Sequence, residues 1–229
     1  MKLSVIVPVY NMASEEKLIW CLDSLVNQTI SDYEIIAVDD CSTDNSLEIL
    51  RDYEKRYPEK FYVIASPVNK KQGGAKNLGL CQARGDWIGF IDSDDWVTPD
   101  YYERLLTLAE ETGADMAGCD YHLTGEHSMK IGQVVHNNKK SQTGVLTKEK
   151  YKSLILDSGS LVVKIYKRHI ILDFPNRFPE NIFYEDNAIS NSWMLRAKHF
   201  EYLEEPLYYF YQHYTYTVHT ITQKRCEDR

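Results

Sequence analysis

Two rhythms of apolar positions alternate along the first half of the chain. Residues 3–9 form a β-branched run that reads as a strand, and over 15–28 Leu18, Cys21, Leu22 and Leu25 recur at three- and four-residue spacing, which predicts a helix. The pairing then repeats. A strand is expected over 33–38 and a helix over about 44–57, with Leu47, Leu50 and Tyr53 facing the sheet and Ser42 or Thr43 as cap. Strand 61–65, helix 74–83 and a strand at 87–91 that is apolar on both faces follow. Thr98 and Pro99 offer an N-cap and a first-turn proline for a helix reaching about residue 112, and 114–119 suits a further strand. Such alternation predicts an α/β fold with an open, mainly parallel central sheet and helices on both faces.

After Asp120 the rhythm lapses. Residues 121–145 are polar, contain Gly125, Gly132 and the run Asn137-Asn138-Lys139-Lys140, and read as a hairpin or an exposed loop. A helix over 147–156, a strand over 161–166, a helix over 186–197 with Ile189, Trp193 and Met194 or Leu195 inward, and an aromatic strand over 200–211 complete the pattern. No repeat or linker divides the chain, so a single domain over 1–229 is expected. Its abrupt end in 223–229 raises the expectation that C-terminal sequence is missing.

Composition narrows the partners. A length of 229 residues, 43% of them hydrophobic, is ample for a core and argues against disorder. The net charge of −8 opposes any general affinity for nucleic acid or anionic membrane. No apolar run approaches the roughly 18–20 residues of a membrane span, and the start of the chain does not read as a signal peptide. A cytoplasmic protein is expected, with any attachment to the inner face of the membrane peripheral or through a partner. Five cysteines (Cys21, Cys41, Cys81, Cys119, Cys226) form no C-x-x-C pair, which argues against a zinc cage or a disulfide framework. Six of the 17 tyrosines lie between Tyr202 and Tyr216, where they suit half-wet surfaces or a packed edge strand.

In a parallel sheet ligands gather beyond the carboxyl ends of strands. Those positions here are Tyr10-Asn11, Asp39-Asp40, residues 67–74 and Asp92-Ser93-Asp94-Asp95. Two of the four are acidic clusters. Either they open turns, or they hold a divalent cation through hard oxygen ligands.

At these positions the sequence resembles family 2 glycosyltransferases. The resemblance rests on Ser4-Val5-Ile6-Val7-Pro8-Val9-Tyr10-Asn11, on Ile35-Ile36-Ala37-Val38-Asp39-Asp40 with Ser42 and Asp44, on Gly74-Ala75-Lys76-Asn77-Leu78-Gly79, and on Phe90-Ile91-Asp92-Ser93-Asp94-Asp95. Tyr184-Glu185-Asp186-Asn187 extends it into the second half. It implies a GT-A fold, with a Rossmann-like nucleotide-sugar-binding half over 1–120 joined to a variable acceptor-binding half over 121–229. It also implies that Pro8 and Tyr10 line the nucleobase pocket, that Asp39 accepts a hydrogen bond from the uracil imide, and that Ser93 belongs to the donor-binding stretch. Lys76 stands where many members have arginine, which keeps a positive charge near the nucleotide but loses the planar fork. Asp92 would hold the ribose or share the metal, and Asp94 would be its principal ligand. Magnesium or manganese suits such ligands.

The implied reaction moves a sugar from a nucleotide sugar, with a uridine diphosphate sugar expected, to a saccharide or lipid-linked acceptor. A cation offsets the charge that grows on the departing diphosphate. A base must activate the acceptor hydroxyl, and the resemblance assigns this to Asp186, with inversion at the anomeric carbon. Glu185 is the next candidate, and both acids would also suit a helix N-terminus on electrostatic grounds alone. His213 and His219 are candidate contacts to the metal or diphosphate, or else surface residues. Gly73-Gly74 would form a backbone turn that lets Lys76 approach the donor, and Lys70-Lys71 would be solvated or part of a loop over it. Two alternatives stay open: a sugar nucleotidyltransferase, and a scaffold that binds nucleotide sugars without turnover.

Overall fold

A computed structural model describes residues 1–212 except 131, 174 and 176. The first-half elements are β1 (Leu3–Val9), α1 (Lys17–Val26), β2 (Tyr33–Asp39), α2 (Ser46–Arg56), β3 (Phe61–Ala65), α3 (Lys71–Gln82), β4 (Trp87–Phe90), β5 (Trp96–Val97) and α4 (Tyr101–Thr112). The second half adds β6 (Met116–Thr124), β7 (Gln133–Val135), β8 (Gly144–Val145), α5 (Lys148–Leu156), β9 (Lys164–Lys167), α6 (Arg168–Leu172), α7 (Glu185–Met194) and β10 (His199–Tyr211).

All the strands share one sheet, ordered β3-β2-β1-β4-β9-β6-β10-β5, with β7 on β6 and β8 on β10. The long ladders, β1 with β2 and β6 with β10, are parallel, while the pairings of β9, β5, β7 and β8 are short and antiparallel. The sheet therefore continues from one half into the other without a break. Every residue of β1 and of β2 is buried, so helices cover both of their faces. In α1 the spaced Leu18, Cys21, Leu22 and Leu25 are all fully buried, as their periodicity requires.

Several details depart from the sequence reading. Ser42 and Thr43 do not cap α2; the Ser42 hydroxyl instead accepts from the Asn11 N–H at 3.0 Å, and Ser46 accepts from Met12 at 2.7 Å. Thr98 is not the cap of α4, which begins at Tyr101 with Asp100 in the cap position. Gly73 and Gly74 make no turn, because α3 starts earlier than expected and includes them. Asn137 and Asn138 are buried rather than looped out, and Gln142 beneath them is fully buried. The tyrosines of β10 are mainly interior, with Tyr202, Tyr208 and Tyr209 all buried. Within 121–145 the hairpin alternative holds in part, since β7 returns antiparallel along β6; β5, β8 and α6 were missed, each too short to show a period. Among the described residues no helix is long and apolar enough to cross a membrane.

Candidate active site

The carboxyl ends of β1 and β4 open into a cavity of about 560 Å³. Its lining includes Pro8, Tyr10, Asp40, Lys76, Asp92, Ser93, Asp94, Glu185 and Asp186, so the structure brings most of the sequence-marked residues together. Asp39 lies just outside the lining, 2% exposed, and Asp95 is buried away from it. His213 and His219 fall outside the described residues.

Side-chain fasteners set the rim. Ser42, Asp44 and Ser46 take the N–H groups of Asn11, Ala13 and Met12 respectively, which ties the loop after β1 to the loop after β2 and leaves Tyr10 47% exposed at the mouth. Asp40 accepts twice from the Lys70 N–H, at 2.9 and 3.1 Å, and so holds the start of α3 against β2. Burial raises its carboxyl above the usual range despite those bonds. Asn11, Cys41, Asn181 and Tyr184 on the loops around the cavity, and Lys71 at the first residue of α3, adopt positive φ between 53° and 64° although none is glycine. Strain of this kind gathers where geometry serves a site.

The two neighbouring acids of the β4 end have different work. Asp95 accepts from the Tyr208 hydroxyl and from the Tyr211 N–H at 2.9 Å, which pins β10 to the loop after β4. Burial, reinforced by Asp94 and Asp92, pushes its carboxyl well up. Asp92 faces the cavity with its Oδ1 buried and without a hydrogen-bond partner. Burial raises Asp92 to about 7; Lys76 pulls it down, while Asp94, Glu185 and Asp186 push it up. Such a carboxylate is short of positive charge.

Lys76 does not stand free beside a ligand. Its ammonium donates to Glu185 at 2.7 Å, with the two side chains 2% and 5% exposed, and this pair ties α3 to the first residue of α7. Burial disfavours the ammonium, but Glu185 and Asp92 outweigh it and hold Lys76 above its ordinary value. Glu185 is therefore committed to a partner, whereas Asp186, next in the same turn, lines the cavity. Beneath α7, Trp193 stacks on Phe90 at 5.7 Å and meets Phe178 edge-on at 5.1 Å, so β4 and α7 share one aromatic foundation.

Spacing gave no sign of a 109-residue Lys-Glu partnership. Nor did it mark the wall formed by Ile182, Phe183 and Tyr184, or Ser160 and Val162 on the cavity lining. The Lys71 ammonium sits 3.8 Å from the centre of the Phe183 ring, and Lys70 pairs with Glu180 at 3.1 Å, so both lysines are engaged with that wall. Gly73 matters here as well: an added Cβ would lie 2.1 Å from the Pro179 carbonyl oxygen, so only glycine lets the wall approach α3 this closely.

The family model described as Glycosyl transferase family 2 matches residues 4–160. The chain belongs to glycosyltransferase family 2. The Escherichia coli (strain K12) protein described as the uncharacterized glycosyltransferase YibD is 32% identical over 218 residues, which cover 93% of this chain and 62% of that protein. The poly(ribitol-phosphate) beta-glucosyltransferase of Bacillus spizizenii W23 is 33% identical over 219 residues, 92% of this chain and 32% of its own length. Among solved structures, S. aureus TarS 1-349 in complex with UDP-GlcNAc aligns with a TM-score of 0.78 at 27% identity, over 97% of this chain and 62% of that one. The family 2 chain has the GT-A fold and spans less than two thirds of each of these relatives. Membership of family 2 sets aside the nucleotidyltransferase alternative.

Proposed function

We propose that the protein transfers a sugar from a uridine diphosphate sugar to an acceptor hydroxyl during assembly of a polysaccharide or related surface polymer, with inversion at the anomeric carbon. One observation carries this reading: a single cavity at the strand ends is lined by Asp92 and Asp94 from the β4 end and by Asp186 from the first turn of α7. The TarS complex with UDP-GlcNAc supports a uridine donor, and the poly(ribitol-phosphate) relatives make a polyol phosphate polymer the first acceptor to test.

In this reading Pro8 and Tyr10 flank the nucleobase, and Ser93 belongs to the donor-binding stretch. Asp39 Oδ1, buried without a hydrogen-bond partner, takes the imide N–H. Residues 1–120 hold the donor, and the second half shapes the acceptor side.

A magnesium or manganese ion fits the hard oxygens of Asp92 and Asp94, and the unpartnered Asp92 Oδ1 is the observation that favours one. Among the described residues no group of three or more His, Cys, Asp or Glu is arranged for a metal, so the protein would supply part of the coordination. When bound, the ion supplies positive charge beside the leaving diphosphate. Asp186 accepts the proton of the attacking hydroxyl at its carboxylate. The Lys76–Glu185 pair fixes the turn that carries Asp186.

Asp186→Asn tests the base. Calorimetric titration with UDP should be unchanged while transfer falls by about 10²–10⁴-fold, and full transfer by the variant would place the base elsewhere. UDP binding should strengthen with manganese and lose that dependence in Asp94→Ala; metal-independent binding by the parent would remove the ion from the reading.

A further inference from the structure

The cavity wall at Ser160 and Val162 belongs to no helix or strand. Its carbonyls are nevertheless satisfied, and by side chains. The Lys164 ammonium donates to Ser158 O at 2.9 Å and to Ser160 O at 2.7 Å; Tyr166 donates to Leu161 O at 3.1 Å and Tyr101 to Val162 O at 3.4 Å. On the other side Asn137 Oδ1 accepts from the Ser160 N–H at 2.7 Å. Gly159 sits between these ties at a φ of +63°, where an added Cβ would lie 2.2 Å from the Asn137 carbonyl oxygen.

Lys164 is unusual among these fasteners. It is 2% exposed, and among the described residues no carboxylate lies within ion-pair distance of it. Burial draws the ammonium down to about 7, with only Cys119 and Asp157 acting the other way. Burying a cation with carbonyl partners alone is a costly way to close a turn, so stability does not explain its use.

Topology says what the turn faces. Strand β9 is antiparallel to β4, with Gly89 opposite Ile165, so the residues before Lys164 lie beyond the same end of β4 that carries Asp92. The sheet order puts β1 and β2 on one side of β4 and β9 on the other. If the nucleobase lies toward β2 and the diphosphate at the β4 end, the sugar extends toward β9.

We infer that Lys164 is a positioning residue for the donor sugar: it holds the 158–162 segment so that Ser160 and Val162 form the sugar-facing wall of the cavity. The inference rests on the donor reading given above.

Calorimetric titration with UDP and with UDP-GlcNAc, both with manganese, separates sugar contact from nucleotide contact. Lys164→Met should keep its UDP affinity within about twofold and lose about tenfold toward UDP-GlcNAc, with Lys164→Arg in between. The surface variant Lys152→Met should match the parent for both ligands. Equal losses for the two ligands in Lys164→Met, or no loss for either, overturn the inference. Should Lys164→Met fail to fold, Val162→Ala decides: a loss confined to UDP-GlcNAc supports the wall, and a shared or absent loss overturns it. A parent that binds neither ligand overturns the donor reading and this inference with it.

Discussion

In β1 and β2 the backbone is satisfied by the neighbouring strand, residue against residue from Leu3 with Tyr33 to Val9 with Asp39, and every side chain on the two strands is buried. Along 158–162 no ladder exists, and the carbonyls of Ser158, Ser160, Leu161 and Val162 turn instead to Lys164, Tyr166 and Tyr101. The polar run at 137–142 follows the second pattern, with Asn138 donating to Gln142 Oε1 at 3.1 Å and Gln142 donating to Asp157 O at 3.1 Å. Buried backbone has to find partners in either case. A ladder supplies them from any residue type, whereas fasteners depend on particular side chains, so the second half should be the more fragile to point substitution.

The largest effect is expected where the two halves meet. Lys76→Met leaves Glu185 buried and unpaired, and chemical denaturation should show a loss of about 3–5 kcal/mol, most of it recovered when Glu185→Leu is added. If the single variant proves neutral, the pair does not bind α3 to α7.

Next in size is a contrast between neighbours. Asp95→Asn weakens the hold on Tyr208 and Tyr211 and should lower unfolding stability by about 1–3 kcal/mol. Asp94, on the cavity lining, should be the one of the two whose change to Asn reduces manganese-dependent UDP binding. Were the two variants to behave alike in both assays, the division of labour between them would be mistaken.

The smallest effect tests a fastener in the ladder-built half. Glu34 is buried and accepts from Ser4 Oγ at 2.7 Å and from the Arg84 N–H and Nε, each at 2.8 Å. Burial would raise its carboxyl, but the bonds from Arg84 and Ser4 prevail and hold it below its ordinary value. Its contribution to stability is thus complete above the unfolded value of about 4.3 and fades as pH falls through the lower folded value. Unfolding free energy measured between pH 6 and pH 2 should therefore fall more steeply for the parent than for Glu34→Gln; parallel curves would show that the carboxylate is idle.

The same contrast explains what the sequence revealed. The α/β alternation through residue 119 was legible because ladders and amphipathic helices leave periods of two and 3.6 in the apolar pattern. Asp92, Asp94 and Asp186 were legible as motifs at strand and helix ends, and they do share a cavity. Asn137 and Gln142 fell in a stretch read as a hairpin or an exposed loop, and Lys164 drew no attention within its strand, because polar composition does not reveal that a turn of backbone will be folded over it. Asp95 looked like one more acid on a rim with Asp39, Asp40, Asp92 and Asp94, and only its contacts with β10 show that it holds structure together.

Because Glu185 is bonded to Lys76 while Asp186 lines the cavity beside it, the fixed frame of the site extends beyond the first half of the chain to the first turn of α7. Anyone grafting acceptor regions between relatives should place the downstream seam after that turn, keeping the segment from Phe178 to Asp186 with its own α3. Cut there, hybrids would keep Lys76, Glu185 and Asp186 in their present arrangement. Cut a few residues earlier, before Glu185, they would carry mismatched partners at positions 76 and 185.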